Sequence, residues 1–422
     1  MRPGARGRGC SPEGRRLNAS PEPIRVLYVA RAPFVSGAER ALLTLLRHLD
    51  RARVAPAVVL GCDPAAPGLA QALGDLDIPV YPAPLPKRGL DTFLAWRRSL
   101  RILGKAVEEF RPHVLHANDV PSCQAMCVIG SRRRLPRVVH VRWAIAARDA
   151  AWWARGGAES LLCISAWIKT QLGDVSATPL ARARVEVFPD AVDWPAGDSA
   201  GYAIVPGPGD QHDPGVSRTQ PRACGLALHP SPEFRLGFAG QIIEQKGLDL
   251  LIDALALLPA DKRPTLLIAG QDTQRAGAYE RELRGRAEQR GVAGHIQWLG
   301  FLENVDDLYR QVTALACPSR QEPLGLVPLE AARFAVPSFA SRVGGFLETI
   351  EDGVTGWLVE PKAEAWAEAL ARVGALDRGV VARAGRAAEQ RTRTLYAPLN
   401  YQKRLVAIYA DLARGQSPER VA

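Results

Sequence analysis

The sequence predicts an α/β protein built from two doubly wound parallel-sheet domains that face each other across a deep cleft. A chain of 422 residues with 47% hydrophobic content is too long for one ordinary core. Short apolar runs alternate with helix-like stretches, the pattern of a parallel sheet covered on both faces. That alternation stops over residues 195–232, where Gly and Pro recur without periodicity, as in Val205-Pro-Gly-Pro-Gly209, and then it resumes.

Taken in order, residues 1–22 form a basic tail without an apolar h-region, so they are neither a signal peptide nor foldable core. They read as disordered or as a misassigned start. The first domain spans 23–194, with strands expected at Arg25 to Ala30, Ala55 to Leu60, Val114 to His116, Val138 to Val141, Leu161 to Ile164 and Val185 to Phe188. Each is a short apolar run bounded by turn or helix signals. A Gly/Pro-rich linker covers 195–232. The second domain, 233–395, repeats the pattern at Leu236 to Ala239, Thr265 to Ala269, Ile296 to Leu299, Ala314 to Ala316 and Ser338 to Ala340. Within the closing segment 396–422, Leu405, Ile408, Tyr409 and Leu412 fall near helical spacing and mark an amphipathic helix.

Composition narrows the function classes. No apolar run reaches the roughly 18 residues of a membrane-spanning helix. The formal charge of +10 admits nucleic acid, an anionic membrane surface or an acidic substrate. Much of it is diffuse Arg, with local clusters at Lys87-Arg88, Arg97-Arg98 with Arg101, and Arg132-Arg133-Arg134 with Arg137. These are either solvated helix faces or a docking surface for anionic lipid beside a lipid-linked acceptor. No nucleic-acid module accompanies them, so nucleic acid is not an expected partner. Seven scattered cysteines lack zinc spacing and fit a reducing cytoplasm. Cys123 and Cys127 share one helix face, as core residues do.

The most informative stretch is Cys317-Pro-Ser-Arg-Gln-Glu322-Pro-Leu-Gly325-Leu-Val-Pro328-Leu-Glu330. Pro328 places a helix start at that residue, because proline lacks an amide that a first turn leaves unpaired anyway. The free amides of Leu326 and Val327, beside Gly325, then form an anion pocket suited to a diphosphate, and Glu330 lies one turn in, able to grip a hydroxyl. Upstream, Gly240 stands at the carboxyl end of the first strand of the second sheet, where open α/β sheets place ligands. Lys246 is read as beginning the next helix, able to neutralise charge growing on a leaving diphosphate.

The block from about 234 to 360, with Glu322 and Glu330 at Glu-x7-Glu spacing, resembles the family 4 retaining glycosyltransferases (glycosyl transferases group 1). The resemblance implies the GT-B architecture, two Rossmann-like domains with the last helix crossing back to the first. It also implies a nucleotide-sugar donor. Residue by residue, Glu322 resembles the carboxylate facing the donor sugar and Glu330 the one holding the ribose hydroxyls. Gln241 stands where the family commonly has Arg, and brings neither charge nor a bidentate fork.

In the first domain, Ser36-Gly37-Ala-Glu39 resembles the family's Gly-Gly-Ala-Glu loop, with Ser36 in the first glycine position. The segment His116-Ala-Asn118-Asp119 resembles a strand ending in His-x-His or His-x-Asn and offers cleft-facing polar groups, with a core histidine as the alternative for His116. Ser165 and the Pro189-Asp190-Ala191 stretch resemble further family segments, with Asp190 and Ala191 replacing Asn and Gly.

The implied reaction is transfer of a sugar, with retention, to a saccharide or lipid-linked saccharide, by an enzyme that is cytoplasmic or peripheral on the inner membrane face. No cofactor and no metal is expected, since helix amides and Lys246 do the work of a divalent ion. The one Asp-x-Asp, Asp75 and Asp77, reads as a solvated turn. The competing readings are a sugar-nucleotide epimerase or glycan phosphorylase of the same architecture, and a non-catalytic sugar-nucleotide-binding scaffold.

Overall fold

The computed structural model describes residues 22–31, 37–61, 68–194, 234–374 and 378–415. The expected linker and, apart from Glu22, the expected basic tail lie outside the described residues, as does Ser36. The first sheet holds β1 (Ile24–Arg31), β2 (Val54–Gly61), β3 (Val80–Pro82), β4 (Val114–Ala117), β5 (Arg137–Val141), β6 (Ser160–Cys163) and β7 (Arg184–Val187). Their order is β3-β2-β1-β4-β5-β6-β7, with every neighbour parallel. The second holds β8 (Arg235–Ala239), β9 (Thr265–Ala269), β10 (Ile296–Gly300), β11 (Ala314–Cys317), β12 (Ser338–Ser341) and β13 (Gly356–Val359), in the order β10-β9-β8-β11-β12-β13. Both sheets reverse direction of winding next to their first strand, between β1 and β4 and between β8 and β11, which puts the crevices at the carboxyl ends of those strands.

Two strands were not delimited from sequence: β13, which was not expected, and β3, expected only as the strand that follows the Asp75–Asp77 turn. Both lie at sheet edges and run for three and four residues. Proline in and around β3 and glycine at the start of β13 give both the appearance of turns.

The helix Pro398–Ala413 opens on a proline in its first turn and buries Tyr401, Leu405, Val406, Tyr409 and Leu412 against the first sheet, in one core with Val26, Tyr28 and Val58. The last helix of the described chain therefore packs on the first domain. Its polar anchor is a buried chain of rings. His116 Nε2 lies 2.8 Å from His140 Nδ1, Tyr401 Oη lies 3.2 Å from His140 Nε2, and Tyr409 donates to Tyr28 at 2.9 Å. His116 Nδ1 meets the Tyr409 hydroxyl.

A relay of neutral rings satisfies all four contacts. Tyr401 donates to His140, His140 donates to His116, His116 donates to the Tyr409 oxygen, and Tyr409 donates to Tyr28. Both imidazoles are neutral in this assignment, the state that their burial favours. This corrects the reading of His116 as a cleft group: it is 1% exposed and points to the face of the sheet covered by the closing helix.

Burial, with Arg142 nearby, lowers His116 to about 3 and drives His140 well below its ordinary value. In the unfolded chain both titrate near 6.5. Below that pH the unfolded state binds protons that the folded state refuses, so this contribution to stability is present above about pH 6.5 and is lost as pH falls toward the folded values. Two such protons give a slope of about 2.7 kcal/mol per pH unit once both unfolded imidazoles are charged. Thermal unfolding between pH 7 and 4 should therefore steepen below about pH 6 in the wild type and flatten in His116→Gln/His140→Gln. Parallel curves for the two proteins would refute the neutral assignment.

Candidate functional site

The cleft wall of the second domain is built from two loops that leave adjacent strands. After β8, the Gly240 amide donates to the Ala269 carbonyl at 3.0 Å, and Gln241 follows half-buried. The chain then makes a 3-10 turn, Glu244–Lys246, ended by Gly247 at φ 69°. A Cβ on Gly247 would sit 2.0 Å from the Pro318 carbonyl oxygen. Glycine is therefore what lets the Lys246 turn lie directly on the exit of β11. The helix expected to begin at Lys246 begins instead at Leu248, because left-handed backbone at Gly247 separates the two turns.

That contact brings together residues 76 positions apart. Lys246 Nζ donates to Glu322 Oε2 at 2.7 Å, and the Ser319 hydroxyl approaches the same oxygen at 3.5 Å. The two side chains are 26% and 13% exposed. Arg320 braces the arrangement by pairing with Asp249 at 2.7 Å and donating to the Glu244 carbonyl. From the other side the Gly345 amide donates to the Glu322 carbonyl at 2.8 Å.

Gly325, at φ 97°, caps the helix Leu326–Ala332. A Cβ there would meet the Phe346 ring at 2.7 Å. The helix thus starts two residues before Pro328, not at it; proline in third position still lies in the first turn, where amides need no intrahelical partner. Leu326, Val327 and Glu330 follow on its first turns. The Tyr309 hydroxyl donates to Glu330 Oε2 at 3.1 Å, and burial holds that phenol far above its ordinary range, so it remains a donor. Arg40 reaches Glu330 Oε1 at 3.0 Å from the first domain.

Facing this wall, Gly37 opens the helix Gly37–His48, and Glu39 is buried in its first turn. Asn118 and Asp119 were expected to face the cleft, but they are 2% and 6% exposed and lie beneath it. Asn118 donates to the Ala38 carbonyl at 3.0 Å, and its own carbonyl accepts from Arg142 Nε at 2.7 Å. Arg142 in turn pairs with buried Asp190. Asp119 accepts from the Ser122 amide at 2.8 Å and from its hydroxyl, though burial still raises its carboxyl above the usual value. Unpaired polar ends at the mouth of a sheet cost too much to bury alone, so β4, β5 and the segment after β7 pool theirs into one network. It holds the Gly37–Glu39 turn from below.

The two domains touch at several further points. Ser165 Oγ donates to the Pro323 carbonyl at 2.6 Å, next to Glu322, while accepting from the Ile168 amide. Glu348 accepts from the Ala166 and Trp167 amides at 2.8 and 2.9 Å. Leu324 and Leu329 are buried within the core of the first domain. Arg40, Tyr309 and Glu348 were passed over in the sequence. Arg40 carried a signal, a cation one turn after Gly37; Tyr309 and Glu348 carried none.

The described free thiols offer no nucleophile, since Cys123, Cys127, Cys163 and Cys317 are all buried. Burial pushes Cys163 up to about 12 and Cys317 higher. Asp75 and Asp77 lie in the turn before β3, away from the cleft.

Comparison with known proteins adds to this geometry. Residues 227–391 match the family model described as Glycosyl transferases group 1, and residues 36–191 match the Glycosyl transferase 4-like domain. The lipopolysaccharide core biosynthesis mannosyltransferase LpsB of Rhizobium meliloti (strain 1021) is 36% identical over 171 residues, covering 39% of this chain and 48% of that protein. The D-inositol 3-phosphate glycosyltransferase of Jonesia denitrificans is 37% identical over 165 residues, covering 37% of this chain and 39% of its own length. The match thus spans less than half the length of either curated relative. The crystal structure of Anabaena Alr3699/HepE in complex with UDP and glucose superposes with a TM-score of 0.71 at 20% identity, covering 92% of this chain and 99% of that one. That likeness shows a shared fold, the two-domain GT-B architecture.

Proposed function

We propose that this chain, which belongs to the group 1 glycosyltransferases, moves a sugar from a nucleotide-diphosphate donor to a saccharide or lipid-linked saccharide, with retention and without a metal. The observation that carries the reading is the Lys246–Glu322 pair at 2.7 Å, in which the loop after β8 meets the loop-and-helix unit that carries both Glu322 and Glu330. In this reading the donor sugar lies against Glu322 and the diphosphate between Lys246 and the amides after Gly325. The acceptor hydroxyl attacks the anomeric carbon on the face from which the diphosphate departs. The bond from that carbon to the phosphate oxygen breaks, and the same oxygen takes the acceptor proton. Lys246 neutralises the charge left on the diphosphate.

Glu330 holds the ribose hydroxyls, which requires Arg40 to leave it. The Arg40 guanidinium is then free for the diphosphate, and so supplies the charge that Gln241 lacks. Relatives named for lipopolysaccharide core synthesis and for inositol phosphate glycosylation, and a structural neighbour holding UDP and glucose, support a nucleotide-sugar donor and an envelope polysaccharide or glycolipid product. The enzyme would act at the cytoplasmic membrane face.

A thermal-shift panel of UDP, GDP, ADP and their sugar conjugates tests the donor assignment, because a ligand of the folded state raises the melting temperature by mass action. One nucleotide series should stabilise the wild type. In Glu330→Ala its affinity should fall by one to two decades, matching a lost charged hydrogen bond of about 1.5–3 kcal/mol. No shift with any nucleotide at millimolar concentration would count against a donor site here.

A further inference from the structure

We propose that the start of the Phe93–Phe110 helix is a docking site for an anionic phospholipid membrane. Leu90 is fully exposed, Leu94 is 80% exposed and Phe93 41%, so three large apolar side chains stand in solvent within five residues. Such a cluster marks an interaction surface rather than scattered surface apolarity. Beside it runs a groove of about 480 Å³, floored by Trp96, Leu100 and Ile129 and rimmed by Arg97, Arg101 and Arg132, with no carboxylate in its lining. Residues 87–105 hold six cations, Lys87, Arg88, Arg97, Arg98, Arg101 and Lys105, against the single carboxylate of Asp91.

The cations are also placed as an interface requires. Lys87 Nζ lies 5.3 and 5.8 Å from the rings of Trp152 and Trp153, and Arg88 lies 5.1 Å from that of Trp96. Trp96 is buried and only floors the groove, whereas Trp152 and Trp153 are half-buried, and indole rings with neighbouring cations suit the headgroup layer, where the ring meets hydrocarbon and the charge meets phosphate. Guanidinium groups alone fit nucleic acid equally well. Leu90 and Leu94 do not: an aliphatic tip beyond a ring of charge needs acyl chains to enter. The geometry stands without the glycosyltransferase reading, and rests on the lipid-linked acceptor of that reading only for its purpose.

The test is co-sedimentation of the full chain with vesicles of phosphatidylglycerol and phosphatidylcholine in equal parts, and with phosphatidylcholine alone. The wild type should pellet with the anionic vesicles only. Arg97→Gln/Arg101→Gln/Arg132→Gln should lower partitioning about a hundredfold, at roughly fivefold per cation near the surface. Leu90→Ser/Leu94→Ser should lower partitioning onto the anionic vesicles about tenfold per leucine. All replaced residues are exposed or line an open groove, and unchanged melting temperatures verify the fold. Glu330→Ala should pellet as the wild type does, so a failed donor assay and a failed docking assay are separate results. No wild-type binding, binding indifferent to both sets of replacements, or displacement by inorganic phosphate beyond that by sodium chloride at equal ionic strength would overturn the proposal.

Discussion

Replacing Lys246 by Ala should lower kcat about 10²- to 10³-fold, the usual effect of deleting one preorganised group that stabilises transition-state charge, while donor affinity changes far less. The lysine stands 2.7 Å from Glu322 and is only partly solvated. Its charge is therefore fixed in place before the diphosphate leaves. Because the interaction strengthens as the carbon–oxygen bond breaks, its loss appears in kcat rather than KM. Glu322→Gln completes the test. Its amide keeps the size and one acceptor oxygen but neither the negative charge beside the sugar nor the full pairing with Lys246. Turnover should fall about 10²-fold, with retention preserved in the product, as read by NMR of the new anomeric centre. Near-normal turnover in both variants would sink the assignment of this pair. Accumulation of a covalent sugar on Glu322 of the wild type would replace front-face displacement with double displacement.

The second large effect concerns folding. Asp190→Asn should destabilise the protein by about 3 kcal/mol, because removing one member of a buried ion pair leaves the other charge uncompensated. Arg142 and Asp190 are 5% and 2% exposed at the side chain. The carboxamide introduced by this change would still accept a hydrogen bond, and Arg142 keeps its contacts to Asn118. The loss therefore belongs at the lower end of the range for such pairs. It should appear as a fall in melting temperature of about 6–12 °C. Arg142→Met/Asp190→Asn should recover much of it, since neither buried charge remains. A double-mutant cycle measures the coupling directly, and additivity of the two single changes would show that the pair contributes nothing. The Gly37–Glu39 turn rests on this network through Asn118, so Asp190→Asn should also weaken activity at temperatures where the protein is still folded.

The legible part of the fold was its local periodicity. Eleven of the strands show as apolar runs; nine of these are inner strands, and a central parallel strand is buried on both faces and must be apolar throughout. The closing helix shows because its core face repeats every third or fourth residue. The edge strand β3 lies between Pro79 and Pro84 with Pro82 at its end, and β13 opens on Gly356 just after the Gly353 turn, so turn residues mask both.

In the site, the sequence by itself determined the Glu322 to Glu330 spacing, the glycines at 240, 247 and 325, and the presence of Lys246 after a strand. All of these follow from chain neighbours and from backbone that only glycine tolerates. Tertiary structure decided what each residue touches. His116, Asn118 and Asp119 fall within four consecutive positions at the end of one strand, yet His116 joins a ring stack under the last helix, Asn118 holds Arg142, and Asp119 caps the next turn. Alternation along the strand sends His116 to the face opposite Leu115 and Ala117, Asn118 and Asp119 lie past the strand's end, and the face of His116 is covered by a helix whose Tyr409 lies 293 residues beyond it. Arg40 meets Glu330, and Ser165 meets Pro323, only because two domains close on one another. Contacts between such distant segments leave no local pattern in the sequence, because the physical condition they satisfy, pairing a polar group that folding would otherwise bury alone, exists only once the chain is folded.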